Sequence, residues 1–213
     1  MRTVASEMWD AATIQAFVAK TVDAILKRRA VPFENVQTPR LDIAVPAFEA
    51  MRYCHLRNEI AALIAASMDN RSANDLHPSF VEILRQLTSD EVALLGTMPV
   101  GEGVVAMGHI HETLGQGRTR IIHRNVIPPR HARACQTRAC IPAYIDNLLR
   151  LKLLDVPPGL EIGESAPYQA ILCNKFCEPL FKGRGRQGTY RLERSLVSVT
   201  DLGQRFRLAC LVS

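Results

Sequence analysis

No stretch of this sequence stays apolar for the ~18 residues that a membrane-spanning helix needs. The first thirty residues carry Glu7, Asp10, Lys20 and Asp23 among their apolar positions, so no secretory core can be drawn there. Internal repeats and low-complexity tracts are also missing, which excludes solenoids and biased disordered segments. Gly115-Gln116-Gly117 lacks the Lys-Ser/Thr pair of a Walker-type phosphate loop. Aromatic residues are 6% of the chain, and none lies between Arg118 and Arg138, where cations are dense. Stacking of single-stranded nucleic acid is therefore disfavoured in that stretch. The most pointed absence is of acid: from Thr113 to Ile145 there is no Asp or Glu.

What is present is ordinary for a folded protein. The 213 residues are 47% hydrophobic and 22% charged, enough for one sizeable core or two small domains. A net charge of +5 permits contact with anions without requiring it. Six cysteines, spread unevenly and with no secretory signal, read as reduced thiols in a cytoplasmic protein.

Apolar spacing predicts helices over Ala5–Arg28 and Pro46–Met68. A third helix opens at Pro78, and a fourth follows a capping-box pattern of Thr88 with Glu91. Beyond Pro99 the character changes, and glycines punctuate a hairpin expected between Val104 and Val126. Further helices are expected over Pro142–Leu154 and Pro167–Phe181, then a strand over Thr189–Val199 and a closing helix capped by Thr200. The fold class expected is mainly α with a small β component. An N-terminal helical half spans 1–98, and a winged-helix-like α+β half spans 99–213, with Lys182-Gly183-Arg184-Gly185-Arg186-Gln187-Gly188 as its wing tip. A solvated basic loop is the alternative reading of that turn.

Three blocks carry a family resemblance. They are His77-Pro78-Ser79-Phe80-Val81-Glu82-Ile83-Leu84-Arg85-Gln86-Leu87 leading into Ser89-Asp90-Glu91, then Tyr144-Ile145-Asp146-Asn147-Leu148-Leu149-Arg150-Leu151, and finally Val199-Thr200-Asp201-Leu202-Gly203-Gln204-Arg205-Phe206. In order and spacing the chain resembles the bacterial abortive infection alpha family from about residue 45 to its end. The resemblance implies a setting in phage defence, among genes that arrest or kill the infected cell. It implies no catalytic residue set, cofactor or mechanism.

The residues themselves leave several chemistries to weigh. His109 and His111 would share one strand face, as imidazole metal ligands must, but the adjacent Glu112 would point the other way. Cys135 and Cys140, with Cys173 and Cys177, can be drawn as a zinc site. Their gaps of four and three residues do not match the usual two-residue hairpins, and buried thiols are the simpler account. The acid-free stretch carries Arg118, Arg120, Arg124, Arg130, Arg133 and Arg138. With Lys182, Arg184 and Arg186 these form an anion-binding candidate for nucleic acid, a nucleotide or an acidic protein surface. A basic loop neutralised by carboxylates elsewhere is the plain alternative. Asp146, Asn147, Arg150 and Lys152, on the presumptive recognition helix, include a carboxylate that phosphates would repel, so any DNA binding should be nonspecific.

The functional expectation is a non-enzymatic interaction or regulatory protein without cofactor, working through a protein partner, self-association or an anionic ligand. A winged-helix nucleic-acid regulator and a metal-dependent enzyme at His109/His111 are the alternatives.

Overall fold

The computed structural model describes residues 9–114, 118–173 and 190–211. Among these residues the chain is mainly helical and holds one small antiparallel sheet of four strands. It divides into two compact units, Met1–Ser89 with Arg205–Ser213, and Asp90–Gln204.

In the first unit α1 (Ala11–Arg28) starts where Asp10 accepts the Thr13 N–H at 2.7 Å. The sequence pattern predicts a start at Ala5; the helix begins instead at this cap. Its buried stripe, Ile14, Val18, Val22 and Ile25, has helical spacing and packs against α3 (Arg57–Met68). From Ile60 to Ser67 every residue of α3 is buried, which makes it the central helix of the unit. Arg29, just past the end of α1, donates to the carbonyls of Leu208 and Ala209 at 3.1 and 3.0 Å.

The single helix expected over Pro46–Met68 is two. The first, α2, runs Leu41–Met51 with Pro46 inside it, and α3 begins six residues after α2 ends. No proline or glycine marks the break. It is held by Arg57, whose Nε donates to the Met51 carbonyl at 2.9 Å, and by the burial of Cys54 and Leu56 between the helices. Phe48 is at the surface, as are Leu41 and Val45. Next, α4 (Ser79–Arg85) follows Pro78 and buries Phe80, Val81, Ile83 and Leu84. The Phe80 ring meets Phe206 of the closing helix edge-on, with centroids 5.5 Å apart and both side chains fully buried.

The second unit opens with α5 (Ser89–Gly96), directly after Thr88 as the capping pattern predicts. Strands β1 (Val104–Thr113) and β2 (Thr119–Val126) form the expected hairpin. After them come α6 (Pro129–Ala132), α7 (Ile141–Arg150), the two-residue β3 (Leu154–Asp155), α8 (Ala166–Leu172) and β4 (Tyr190–Val199). The sheet order is β2-β1-β4-β3, with β1 paired along its length to β4 from Val104↔Ser198 to Glu112↔Tyr190. Ala106 on β1 packs under Tyr168 and Ile171 of α8. The Tyr168 hydroxyl donates to the Ser195 carbonyl at 2.9 Å and accepts the Ile162 N–H at 2.8 Å.

The helix read over Pro142–Leu154 stops four residues short. Lys152 turns the chain with φ +58°, and Leu153 and Leu154 are drawn into the core beside β4. The helix read over Pro167–Phe181 is seen as α8; its remainder, with Cys177 and the Lys182–Gly188 wing tip, falls largely or wholly in residues 174–189, outside the described residues. The closing helix α9 (Asp201–Cys210) is capped as expected, the Gly203 N–H donating to Thr200 Oγ1 at 2.9 Å. Gly203 is obligatory here, because a methyl group would collide with the Leu153 carbonyl.

Candidate anion-binding cleft

The acid-free stretch of sequence folds around a cleft of about 640 Å3 in the second unit. Its wall is built from the end of β2, from α6, from the turn after it and from the start of α7. His123 and Arg124 come from β2, Arg133 from the residue that ends α6, and Arg138 from the turn leading into α7. Val126, Ile127, Ala132 and Ile141 give it an apolar side, and Cys173 closes one edge. Among the described residues no carboxylate lines it.

Each of these elements has a local cause. Pro128 is extended (ψ 142°) and Pro129 stands at the first turn of α6, where its missing N–H is not needed. The β1–β2 register slips twice, between Gly108 and His111, and such bulges bend a strand and re-aim its side chains. Asn125 takes up the distortion with φ +49°, a left-handed conformation that Asn tolerates better than most residues. Its buried side-chain amide donates to the Pro142 carbonyl at 3.2 Å and to Asp146 Oδ1 at 2.7 Å. Its backbone N–H donates to His109 Nδ1 at 3.1 Å. One asparagine thus ties β2 to the first two turns of α7 and to the neighbouring strand.

The turn carrying Arg138 is held by Asp90 of α5. This buried carboxylate accepts the Gln136 and Thr137 backbone N–H groups, both at 2.8 Å, and the Tyr144 hydroxyl at 3.1 Å. Those donors, the Thr137 N–H foremost, hold the Asp90 carboxyl below its usual range. Burial first, then the hydrogen bond to Asp90 and its charge, push the Tyr144 phenol up to about 12, and burial followed by the Asp90 charge pushes the nearby Cys135 thiol up to about 11. A thiol so raised and buried is a poor nucleophile. The adjoining Glu91 accepts from Asn147 Nδ2 at 2.7 Å, and Asn147 in turn accepts from Arg150.

His131 supports α6 from beneath. It is buried, its Nε2 accepts from Arg130 Nε at 2.9 Å, and its Nδ1 lies 3.0 Å from Thr97 Oγ1. Thr97 itself donates to the Leu94 carbonyl, so its oxygen is open to accept the Nδ1 proton of a neutral ring. Burial, followed by the Arg130 charge, lowers the His131 pKa and agrees with that neutral form.

The basic residues singled out from sequence therefore part company. Arg124 and Arg133, with Arg138, line the cleft. Among the described residues no ion-pair partner is found for these three. Arg120 is paired with Glu112 at 2.6 Å on the hairpin, and Arg130 is committed to His131. Arg118 lies exposed just before β2, outside the cleft lining. Lys182, Arg184 and Arg186 lie outside the described residues. On the presumptive recognition helix Asp146 and Asn147 are already bonded internally.

His109 and His111 are set on one face of β1. His111 Nε2 is 2.5 Å from Glu193 Oε2, while His111 Nδ1 is buried with no partner among the described residues. The backbone bond to His109 Nδ1 occupies one of its two ring nitrogens, and burial lowers its pKa. Cys135 is buried with its Sγ 3.7 Å from the Asp90 carbonyl, and Cys140 is exposed just before α7. Among the described residues no group of three or more His, Cys, Asp or Glu side chains is placed to hold a metal ion, and no helix is long and apolar enough to cross a membrane.

Sequence reasoning passed over Asn125 and gave Asp90 no role. The only local signals were an asparagine interrupting a strand and an acid beside a capping box, and neither is specific.

The family described as abortive infection alpha matches residues 13–210, nearly the whole chain. Comparison with curated proteins returns no match. Among solved structures, an uncharacterized protein from the hydrocarbon-degrading marine bacterium Alcanivorax borkumensis SK2 is 17% identical over 60% of this chain and 88% of that one. Its TM-score is 0.39, a likeness too slight to carry an argument.

Proposed function

We propose, on the premise that the chain belongs to the abortive infection alpha family, that it acts in phage defence as a cytoplasmic, non-enzymatic binding protein whose second unit receives an anionic group. One observation carries this reading: Arg124, Arg133 and Arg138 reach a single cleft from three separate elements, and among the described residues its lining holds no carboxylate. Guanidinium groups gathered without counter-charge repel one another, and an incoming carboxylate or phosphate relieves that repulsion through charge-assisted hydrogen bonds. The anion can arrive on a partner protein or as a free ligand; either way binding at the cleft is what the protein contributes. A winged-helix nucleic-acid regulator is supported less, because two residues of its reading helix are bonded internally.

The test is a phage panel plated on cells making the full chain or its Arg133→Glu/Arg138→Glu variant. Protection against at least one phage, lost in a variant that melts like the parent, is the expected result. Protection that survives the double charge reversal, or no protection against any phage, overturns the reading.

A further inference from the structure

We infer that the anion is a phosphorylated small molecule of nucleotide size, bound with its phosphates against Arg133 and Arg138 and its body against the apolar side of the cleft. This rests on the reading of the cleft as the binding site and adds the class of ligand. Size speaks first. A volume of about 640 Å3 is far more than one phosphate fills, yet falls within the ~300–1,000 Å3 of pockets that take small molecules.

Composition speaks second. An acidic protein surface or a nucleic-acid backbone is met by cations strung along an exposed face. Here three arginines with no ion-pair partner among the described residues gather at one concave place, while Arg120 and Arg130 outside it are engaged by Glu112 and His131 and Arg118 lies exposed beyond the lining. The cleft also offers Val126, Ile127 and Ile141, which a phosphate chain cannot use and a planar or apolar ligand body can. A nucleoside phosphate joins these two requirements in one molecule.

Third, the site is braced before any ligand arrives. The Arg138 turn is fixed by the two backbone N–H groups bonded to Asp90, and the β2 side is fixed by the Asn125 amide. A preformed cleft spends less of its interaction energy on ordering itself, as sites for small ligands generally require.

Calorimetry on the purified full chain tests this with four probes: ATP, AMP, inorganic phosphate and a 20-base-pair DNA duplex. ATP or AMP should bind with one-to-one stoichiometry, at least tenfold tighter than inorganic phosphate. Arg133→Ala and Arg138→Ala should each weaken that binding tenfold or more, whereas Arg118→Ala should change it less than twofold. Binding should also fall only shallowly with salt, unlike a duplex, whose affinity drops steeply with each phosphate contact. Arg133→Lys keeps the charge and loses the fork, and an intermediate affinity in it shows that bidentate contact matters.

Phosphate binding as tightly as the nucleotides, nucleotide binding indifferent to Arg133 and Arg138, or binding of the duplex alone would each overturn the inference. Failure of the two readings is separable. If cleft variants lose protection while no nucleotide binds, the ligand class is wrong and the binding role stands. If nucleotide binds at the cleft while the variants still protect, the ligand class stands and the role in defence fails.

Discussion

The carboxylate of Asp90 accepts the backbone N–H of Thr137 at 2.8 Å, across 47 residues of sequence. That bond, with its neighbour to Gln136, sets the turn from which Arg138 enters the cleft. It makes a residue of α5 outside the cleft lining a determinant of cleft shape.

Asp90→Asn should therefore destabilise the protein by ~2 kcal/mol, the scale for hydrogen bonds to a charged acceptor, as measured by a denaturant melt at neutral pH. The acid limb of the stability profile checks the same claim. A carboxyl held below its usual range contributes stability that is complete above its unfolded pKa of 3.8 and lost as pH falls through the lower folded value. The variant should lack that part of the loss. Equal acid limbs in parent and variant would show that Asp90 is not ionised in this role.

In the first unit, Phe80→Ala and Phe206→Ala should each cost about 3–5 kcal/mol, because both rings are fully buried and lie edge-on to each other. Their double variant should cost less than the sum, since the two sites share one contact. A near-neutral result for either in a urea melt contradicts the packing described.

Asn125 separates backbone from side-chain effects. Asn125→Gly removes the bonds to Pro142 and Asp146 yet tolerates φ +49°. Asn125→Ala removes the same bonds and adds left-handed strain, so it should be less stable by a further ~1 kcal/mol. Thermal unfolding of the two variants side by side decides it, and equal melting points would mean that the turn relaxes.

His131 gives a second dependence on pH, of opposite chemical type. Its folded pKa lies below the ordinary histidine value of 6.5, so the neutral ring's contribution is complete above that pH. It declines as pH falls from there toward the folded pKa, because the unfolded chain takes up the proton first. His109, lowered likewise by burial, acts in the same window. Stability measured from pH 8 to pH 5 should fall, and His131→Gln should flatten part of the fall. An NMR titration placing the His131 pKa above 6.5 would reverse the sign and refute the neutral ring.

Much of the fold could be read locally. The Val104–Val126 hairpin, the helix starting after Thr88 and the Thr200 cap follow from signals a few residues long, because turn chemistry and capping act over a single turn of chain. The acid-free, arginine-rich character of residues 113–145 is likewise a property of composition alone. What local pattern could not decide was set by contacts distant in sequence or by partners it does not specify. The α2–α3 break has no breaker residue and depends on Arg57 reaching Met51 and on the burial of Cys54 and Leu56. Lys152 abandons the helix because Leu153 and Leu154 are buried beside β4. Six similar arginines became three that line a cleft, two already engaged and one exposed on the hairpin. Side-chain type fixes what an arginine can bind, but only the bulges of β2, the Asn125 tie and the Asp90 bonds decide where it stands.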